Sequence, residues 1–197
     1  NPGDTNKIHK IVESKLQDKY NIKKLNSLHP RVRISGLTMN FEKDALVSYI
    51  LQQNEEIFDE NVNCEVLSVK PLKTTNKVFQ ALVQVDVNSY HNIMNAGKLL
   101  IGLNYCSVYD AIELRRCFKC CGLHHYSDKC SSEVHVCPKC SDNHPAKDCN
   151  SSELKCTLCC GLKDTNIDTS HAAWDLSKCT AYKNAHEKFK SLILGTK

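Results

Sequence analysis

Between Cys117 and Cys179 one cysteine and histidine phrase occurs three times, and nothing else in the chain limits the fold so strongly. The copies are Cys117-x2-Cys120-x4-His125-x4-Cys130, Cys137-x2-Cys140-x3-His144-x4-Cys149 and the stretched Cys156-x2-Cys159-x11-His171-x7-Cys179, with starts 20 and 19 residues apart. Two cysteines separated by two residues grip one metal from a single tight turn. A later His and Cys complete a tetrahedron of soft and borderline donors, the set that zinc favours. A unit of about fourteen residues is too small to bury a useful apolar core, so bound metal must supply most of its folding free energy. The spacing therefore predicts three Zn2+ ions per chain and segments that unfold without them.

Thirteen cysteines would also suit a secreted disulfide framework. Against it stand the odd total, the histidines at ligand positions and the absence of an apolar secretory segment ahead of them, which together point to a reducing compartment. A second rival is the interleaved two-zinc RING arrangement, built from Cys117, Cys120, Cys130, His135, Cys137, Cys140, Cys156 and Cys159. For that pattern the gap from Cys130 to His135 is too long and the gap from His135 to Cys137 too short, and His125, His144, Cys149, His171 and Cys179 would be idle. The metal count separates the two, three ions against two. Of the other cysteines, Cys64 and Cys106 read as small apolar core residues. Cys121 and Cys160 directly follow the second ligand of their units and are placed to compete for metal, above all in the loosely spaced third unit.

Charged residues make up 24% of the chain and no run of eighteen apolar residues occurs, so a soluble protein without a membrane span is expected. A site of three thiolates and one neutral imidazole carries one net negative charge, so three of them bring the formal +4 to about +1. Bulk attraction to phosphate is then weak. Any affinity for nucleic acid must come from locally placed Lys and Arg together with base stacking.

Residues 1–30 hold a short amphipathic helix, with Ile8, Ile11, Val12 and Leu16 on one face, ended by His29-Pro30. Over residues 31–112 the apolar rhythm alternates between period two and period 3.6, which predicts an α+β fold in β-α-β-β-α-β order. Arg31 to Ser35 alternates as a strand. Phe41 to Leu51 is helical after Asn40 as cap, Cys64 to Leu72 and Val78 to Val87 are strands, Ser89 to Ala96 is a second helix, and a last strand region covers Leu99 to Asp110. This order resembles the RNA-recognition-motif (ferredoxin-like) sandwich, in which aromatics of the two central strands stack bases. Here only Phe79 is available, and it is assigned to the core, so the sandwich is read as a scaffold. The units follow at 113–131, 132–150 and 151–197. The short linkers Ser131–Val136 and Ser151–Lys155 predict a semi-rigid string, and Ala181 to Leu194 reads as a basic helix carrying Lys183, Lys188 and Lys190.

Single-strand binding needs an aromatic face for a base and cations for neighbouring phosphates. Unit one offers both, with Phe118 after its first cysteine, Tyr126 after its histidine, and Arg115, Arg116, Lys119 and Lys129 around them. Unit two offers Lys139 and Lys147 but no aromatic ring. In unit three Trp174 reads equally as a lid on the site or as a stacking surface.

A recognition-motif-like sandwich leading through Arg115-Arg-Cys-Phe-Lys-Cys120 into three Cys-Cys-His-Cys zinc knuckles resembles the Gag-like nucleocapsid protein of non-LTR retrotransposons, especially those of insects. Cys137-Pro-Lys-Cys140 with His144-Pro145 and Asp148-Cys149, then His171-Ala172 and Cys179 ahead of a helix, carry the same likeness. It departs at His124, where many retroviral knuckles keep Gly, and in the length of the third unit. The resemblance implies a nonenzymatic protein that binds RNA and single-stranded DNA, packages the element's RNA as a ribonucleoprotein, acts as a nucleic-acid chaperone and accompanies a separate reverse transcriptase. It further implies a cytoplasmic particle with nuclear access, and self-association is left open. No phosphate-cradling glycine loop or paired-histidine protease helix is present, and four-ligand closed sites are structural ones. A host zinc-knuckle protein co-opted for RNA processing and a RING-like adaptor for protein partners remain the alternatives.

Overall fold

The computed structural model of the chain describes residues 29–59, 62–73, 75–164 and 166–196, and the amphipathic helix expected over residues 6–20 lies outside them. Residues 31–110 form β1 (Arg31–Leu37), α1 (Lys43–Gln52), β2 (Cys64–Leu72), β3 (Thr75–Val85), α2 (Val87–Ala96), β4 (Lys98–Ile101) and β5 (Asn104–Asp110). The strands make one antiparallel sheet in the order β2-β3-β1-β5-β4. The fold class is α+β, as the two rhythms of the sequence predict.

Period-two alternation decides which face is covered. Val32, Ile34, Val66, Ala81, Val83, Val85, Cys106 and Val108 point one way, and on that side Leu46 and Ile50 of α1 and Tyr90 and Ile93 of α2 complete the core. Each such aliphatic side chain contributes about 1.5–3 kcal/mol when fully buried. Phe79 packs against this cluster from its margin, in line with its assignment to the core. Cys106 is buried here and Cys64 lies at the edge, so both act as apolar side chains. The opposite face of the sheet carries Arg31, Arg33, Gln80, Gln84 and Tyr109, and neither α1 nor α2 covers it.

Some boundaries differ from expectation for local reasons. The helix α1 begins at Lys43 with Glu42 as its cap position, so Asn40 is not the cap. The helix α2 begins two residues early because Asp86 accepts a hydrogen bond from the Ser89 amide at 2.9 Å, and the same residue ends β3. The last strand region is a hairpin, β4 and β5, turned at Gly102 with φ +66. The edge strand β4 is held by Asn54, just past the end of α1, whose side chain donates to the Leu100 carbonyl at 3.0 Å and accepts from its amide at 2.8 Å. That reciprocal pair occupies backbone groups that an exposed edge would offer to another chain.

Beyond the sheet, the only helices longer than a single 3-10 turn among the described residues are the one-turn α3 (Thr157–Cys160) and α4 (Thr180–Leu194). The predicted basic helix is therefore present, but it turns back. Phe189, Ile193 and Leu194 pack on the sheet's core, Lys190 Nζ donates to Asp110 at 2.6 Å, and His186 Nε2 meets the Ile112 carbonyl at 2.6 Å. Burial would raise the Asp110 carboxyl, but the Lys190 ammonium and the Ile112 amide outweigh it and hold it below its ordinary range.

Candidate metal centres and an aromatic surface

Three groups of four side chains converge: Cys117, Cys120, His125 and Cys130; Cys137, Cys140, His144 and Cys149; Cys156, Cys159, His171 and Cys179. Within each group the potential ligand atoms lie within 4.8 Å of one another, and all thirteen cysteines of the chain are unpaired thiols. These are the twelve residues picked out by spacing. His135 is exposed and belongs to none of the groups, so the interleaved two-site arrangement is not formed.

The local geometry explains the convergence. In unit one Cys117 Sγ accepts from the Lys119 amide at 3.3 Å and the Cys120 amide at 3.5 Å, while Cys120 Sγ accepts from the Gly122 amide at 3.3 Å. Burial opposes ionisation of Cys117, but these amides outweigh it and bring the thiol down to about 6. Cys137 is brought down to about 7 against burial by the equivalent amides of Cys140 and Lys139. The second cysteine of each turn moves the other way. Burial and the neighbouring thiols push Cys120 up, and, against the Asp142 amide, the neighbouring thiols with burial push Cys140 up to about 11. Without metal each turn therefore favours a single thiolate. A Cβ at Gly122 would lie 3.1 Å from Cys120 Sγ and 3.3 Å from His125 Cε1, so a side chain there requires these two ligands to give by a few tenths of an ångström.

One contact recurs in every unit, between the second cysteine's Sγ and the histidine's Nε2: 3.4 Å for Cys120 and His125, 3.5 Å for Cys140 and His144, 3.6 Å for Cys159 and His171. In unit one His125 Nδ1 faces the Leu123 carbonyl at 3.0 Å, which selects the tautomer that leaves Nε2 as the donor to a metal. In unit three Cys179 Sγ lies 3.7 Å from Cys156 Sγ and 3.6 Å from Cys159 Sγ, too far for a bond and close enough to share one ion. All four residues of the third group are buried, and His171 turns its Nε2 toward Cys159 while its Nδ1 has no hydrogen-bond partner. The donor sets fit three bound metal ions. Three sulfurs and one imidazole nitrogen per group make a four-donor set for one ion.

The spare cysteines do not compete. Cys121 is buried outside the first group, its Sγ donates to the Val136 carbonyl at 3.4 Å, and burial, with Cys120 and Cys137 nearby, pushes it up to about 11, so it stays a thiol at neutral pH. Cys160 is exposed and outside the third group.

The expected string of units is instead one packed body. The amide of the residue before each new unit donates to a carbonyl in the previous one, Val136 to Lys119 at 2.8 Å and Lys155 to Lys139 at 2.6 Å. Unit three then folds back: the Ala173 amide donates to the Pro138 carbonyl at 2.7 Å, Arg116 reaches the Ala173 carbonyl at 3.4 Å, and Cys121 and Val136 join the apolar cluster of Ala173, Ala181 and Tyr182. His124 has φ +70, and its ring meets Phe189 of α4 edge-on at 6.4 Å. A side chain in this left-handed conformation costs backbone strain of about 1 kcal/mol, and here it adds a contact between unit one and α4.

On this body Phe118 is 73% and Tyr126 55% exposed, and each is backed by a cation, Arg116 at 5.2 Å from the Phe118 ring and Arg115 at 5.9 Å from the Tyr126 ring. Lys129 and Lys147 are exposed on short 3-10 turns, Ser127–Lys129 and Ala146–Asp148. Lys119 and Lys139 are half-buried, and their carbonyls make the junctions between units. Trp174 is 46% exposed and so is not a buried lid on the third group. Sequence reasoning did not single out Tyr105 and Tyr109 of β5, 74% and 55% exposed, although their alternation with Cys106 and Val108 was visible. No family model, curated protein or solved structure matches this chain.

Proposed function

We propose that the chain is a nonenzymatic RNA- and single-stranded-DNA-binding protein that packages retroelement RNA into a ribonucleoprotein and acts as its nucleic-acid chaperone. The observation that carries this reading is the pair of exposed rings, Phe118 and Tyr126, each with one face against a guanidinium and both in the same metal-site unit. A ring so backed offers its other face to a base, and the guanidinium and neighbouring lysines meet the phosphates. Zinc is the metal of this proposal, since three thiolates with one imidazole select it over harder ions. The strand order β2-β3-β1-β5, with α1 and α2 on one face, supports an RNA-recognition-motif-like scaffold, and the three groups in tandem support the Gag-like resemblance. On that reading the partners are the element's RNA and its reverse transcriptase, in a cytoplasmic particle that gains access to the nucleus.

Binding to labelled single-stranded RNA, with and without chelator, tests the proposal. Phe118→Ala with Tyr126→Ala is expected to weaken binding by about 2–6 kcal/mol, from ~1–3 per base platform. A fully metallated protein that ignores oligonucleotides would defeat it and leave a protein-binding adaptor as the better reading.

A further inference from the structure

The three metal groups repeat one spacing but not one environment. In unit three Cys156, Cys159, His171 and Cys179 are each 2% exposed or less. In unit two only the cysteines of the turn are buried, and in unit one only Cys117 is, so His125 and Cys130, like His144 and Cys149, meet solvent. A competing ligand takes an ion by displacing its donors one at a time, with no change of oxidation state. Where the donors are covered, removal has to wait until the unit opens.

Unit three also brings its own cover. Apart from Cys121 and Val136, every member of the apolar cluster around its sulfurs lies between Cys156 and Tyr182, including Leu158, Leu162, Ile167 and Ala173. Cys179 belongs to the third group and also starts α4, its Sγ accepting from the Tyr182 amide at 3.4 Å and its carbonyl from the Lys183 amide at 3.0 Å. From there α4 reaches the sheet without help from the first two units, through His186 to the Ile112 carbonyl, Lys190 to Asp110, and Phe189, Ile193 and Leu194 on the core. Phe189 and Ile193, with Arg115 and Tyr126 of unit one, also wall a groove on the open face of the sheet, so α4 helps to seat unit one.

Unit one is the reverse case. Phe118 follows Cys117 and Tyr126 follows His125, and the Phe118 amide donates to Ser127 Oγ at 3.1 Å. Both rings are exposed, so what brings them together is closure of the loop from Cys117 to Cys130.

We propose that the third group is a clasp and the first a switch. Cys156, Cys159, His171 and Cys179 retain their zinc and keep α4 on the sheet, whereas Cys117, Cys120, His125 and Cys130 exchange theirs with the surroundings. Metal supply then turns the aromatic surface on and off without dismantling the fold. The second group, with two buried members, exchanges at an intermediate rate. The switch rests on the reading of that surface as the RNA site, and the clasp does not.

The test uses the full chain loaded with zinc at all three groups and challenged with excess EDTA. Native mass spectrometry is expected to show the last ion leaving at least about tenfold more slowly than the first. Pulses of N-ethylmaleimide should mark Cys117, Cys120 and Cys130 early and Cys156, Cys159 and Cys179 last. In the one-ion form the amides of α4 should keep their protection in hydrogen exchange, while RNA binding falls to that of the Phe118→Ala, Tyr126→Ala protein and returns when Zn2+ is restored. His125→Ala should leave α4 protected, and His171→Ala should not. The time course of the parent chain stands whether or not either variant folds. Release of all three ions at one rate, labelling of Cys156, Cys159 and Cys179 ahead of unit one, or loss of α4 protection with the first ion would overturn the clasp. Undiminished RNA binding by the one-ion form would overturn the switch. A fully loaded chain that ignores RNA would defeat the function on which the switch rests, and the order of release would still judge the clasp.

Discussion

The sheet domain and the metal-site body are of similar length and are held together by opposite means. The sheet buries a continuous aliphatic cluster from Val32 to Ile112, so its stability is spread over many side chains that the solvent excludes. In the body, the buried residues of the three units are mostly the ligand cysteines themselves, together with His171 and a few alanines. With metal bound at the three groups, most of its free energy would be concentrated there, supplemented by the small cluster around Ala173 and Cys121. The difference teaches that a short, polar, charge-bearing segment can be rigid enough to display Phe118 and Tyr126 outward, because it does not need those rings for a core.

That contrast can be broken most forcefully by chelation. Removing metal should unfold residues 115–179, where structural zinc provides about 10–16 kcal/mol in comparable small units, while the amides of β1, β3 and β5 keep their protection in hydrogen exchange. The helix α4 is the informative element, since Cys179 is both a member of the third group and its N-cap, accepting from the Tyr182 amide at 3.4 Å. Its first turn should lose protection with the metal. Loss of protection across the sheet as well would show that the two regions share one core.

A smaller effect in the opposite direction comes from Leu46→Ala. Leu46 is wholly buried between α1 and the sheet, and its truncation should cost about 2–5 kcal/mol in urea unfolding of the sheet. Metal content by mass spectrometry under native conditions should stay at three ions. The finest probe is Gly122→Ala, which presses a methyl group on Cys120 and His125. It should weaken the first site about tenfold in competition with a chromogenic chelator, as changes that displace ligands typically do, and leave the sheet's unfolding midpoint unmoved.

Much of this was legible in the sequence because the relevant physics is local. Each of the first two metal-site units closes within fourteen and thirteen residues, so the spacing alone names the side chains that can meet. The strand faces were equally readable, since alternation in Arg31 to Ser35 states which residues go inward. The expected Asn40 cap failed, since α1 starts after Glu42 with no side-chain cap at all. Separately, the last strand region became a hairpin at Gly102 because that turn is held by Gln53, which donates to the Gly102 carbonyl at 3.2 Å and accepts from its amide at 2.7 Å. Nothing in residues 99–110 announces those partners. The open face was dismissed for lack of rings on β1 and β3, and the rings of Tyr105 and Tyr109 on β5 were passed over.

What the chain determines by itself is which twelve side chains converge in three groups able to hold a metal, which residues of the sheet are buried, and that Phe118 and Tyr126 have no core to enter. What only the tertiary structure decided is that the three units pack as one body and that α4 returns to wall a groove on the sheet. The physical reason is the kind of bond involved. Ligation and apolar burial depend on particular side chains and leave a mark in the sequence. The junctions that join Val136 to Lys119, Lys155 to Lys139 and Ala173 to Pro138 are made by backbone amides and carbonyls, which nearly every residue carries.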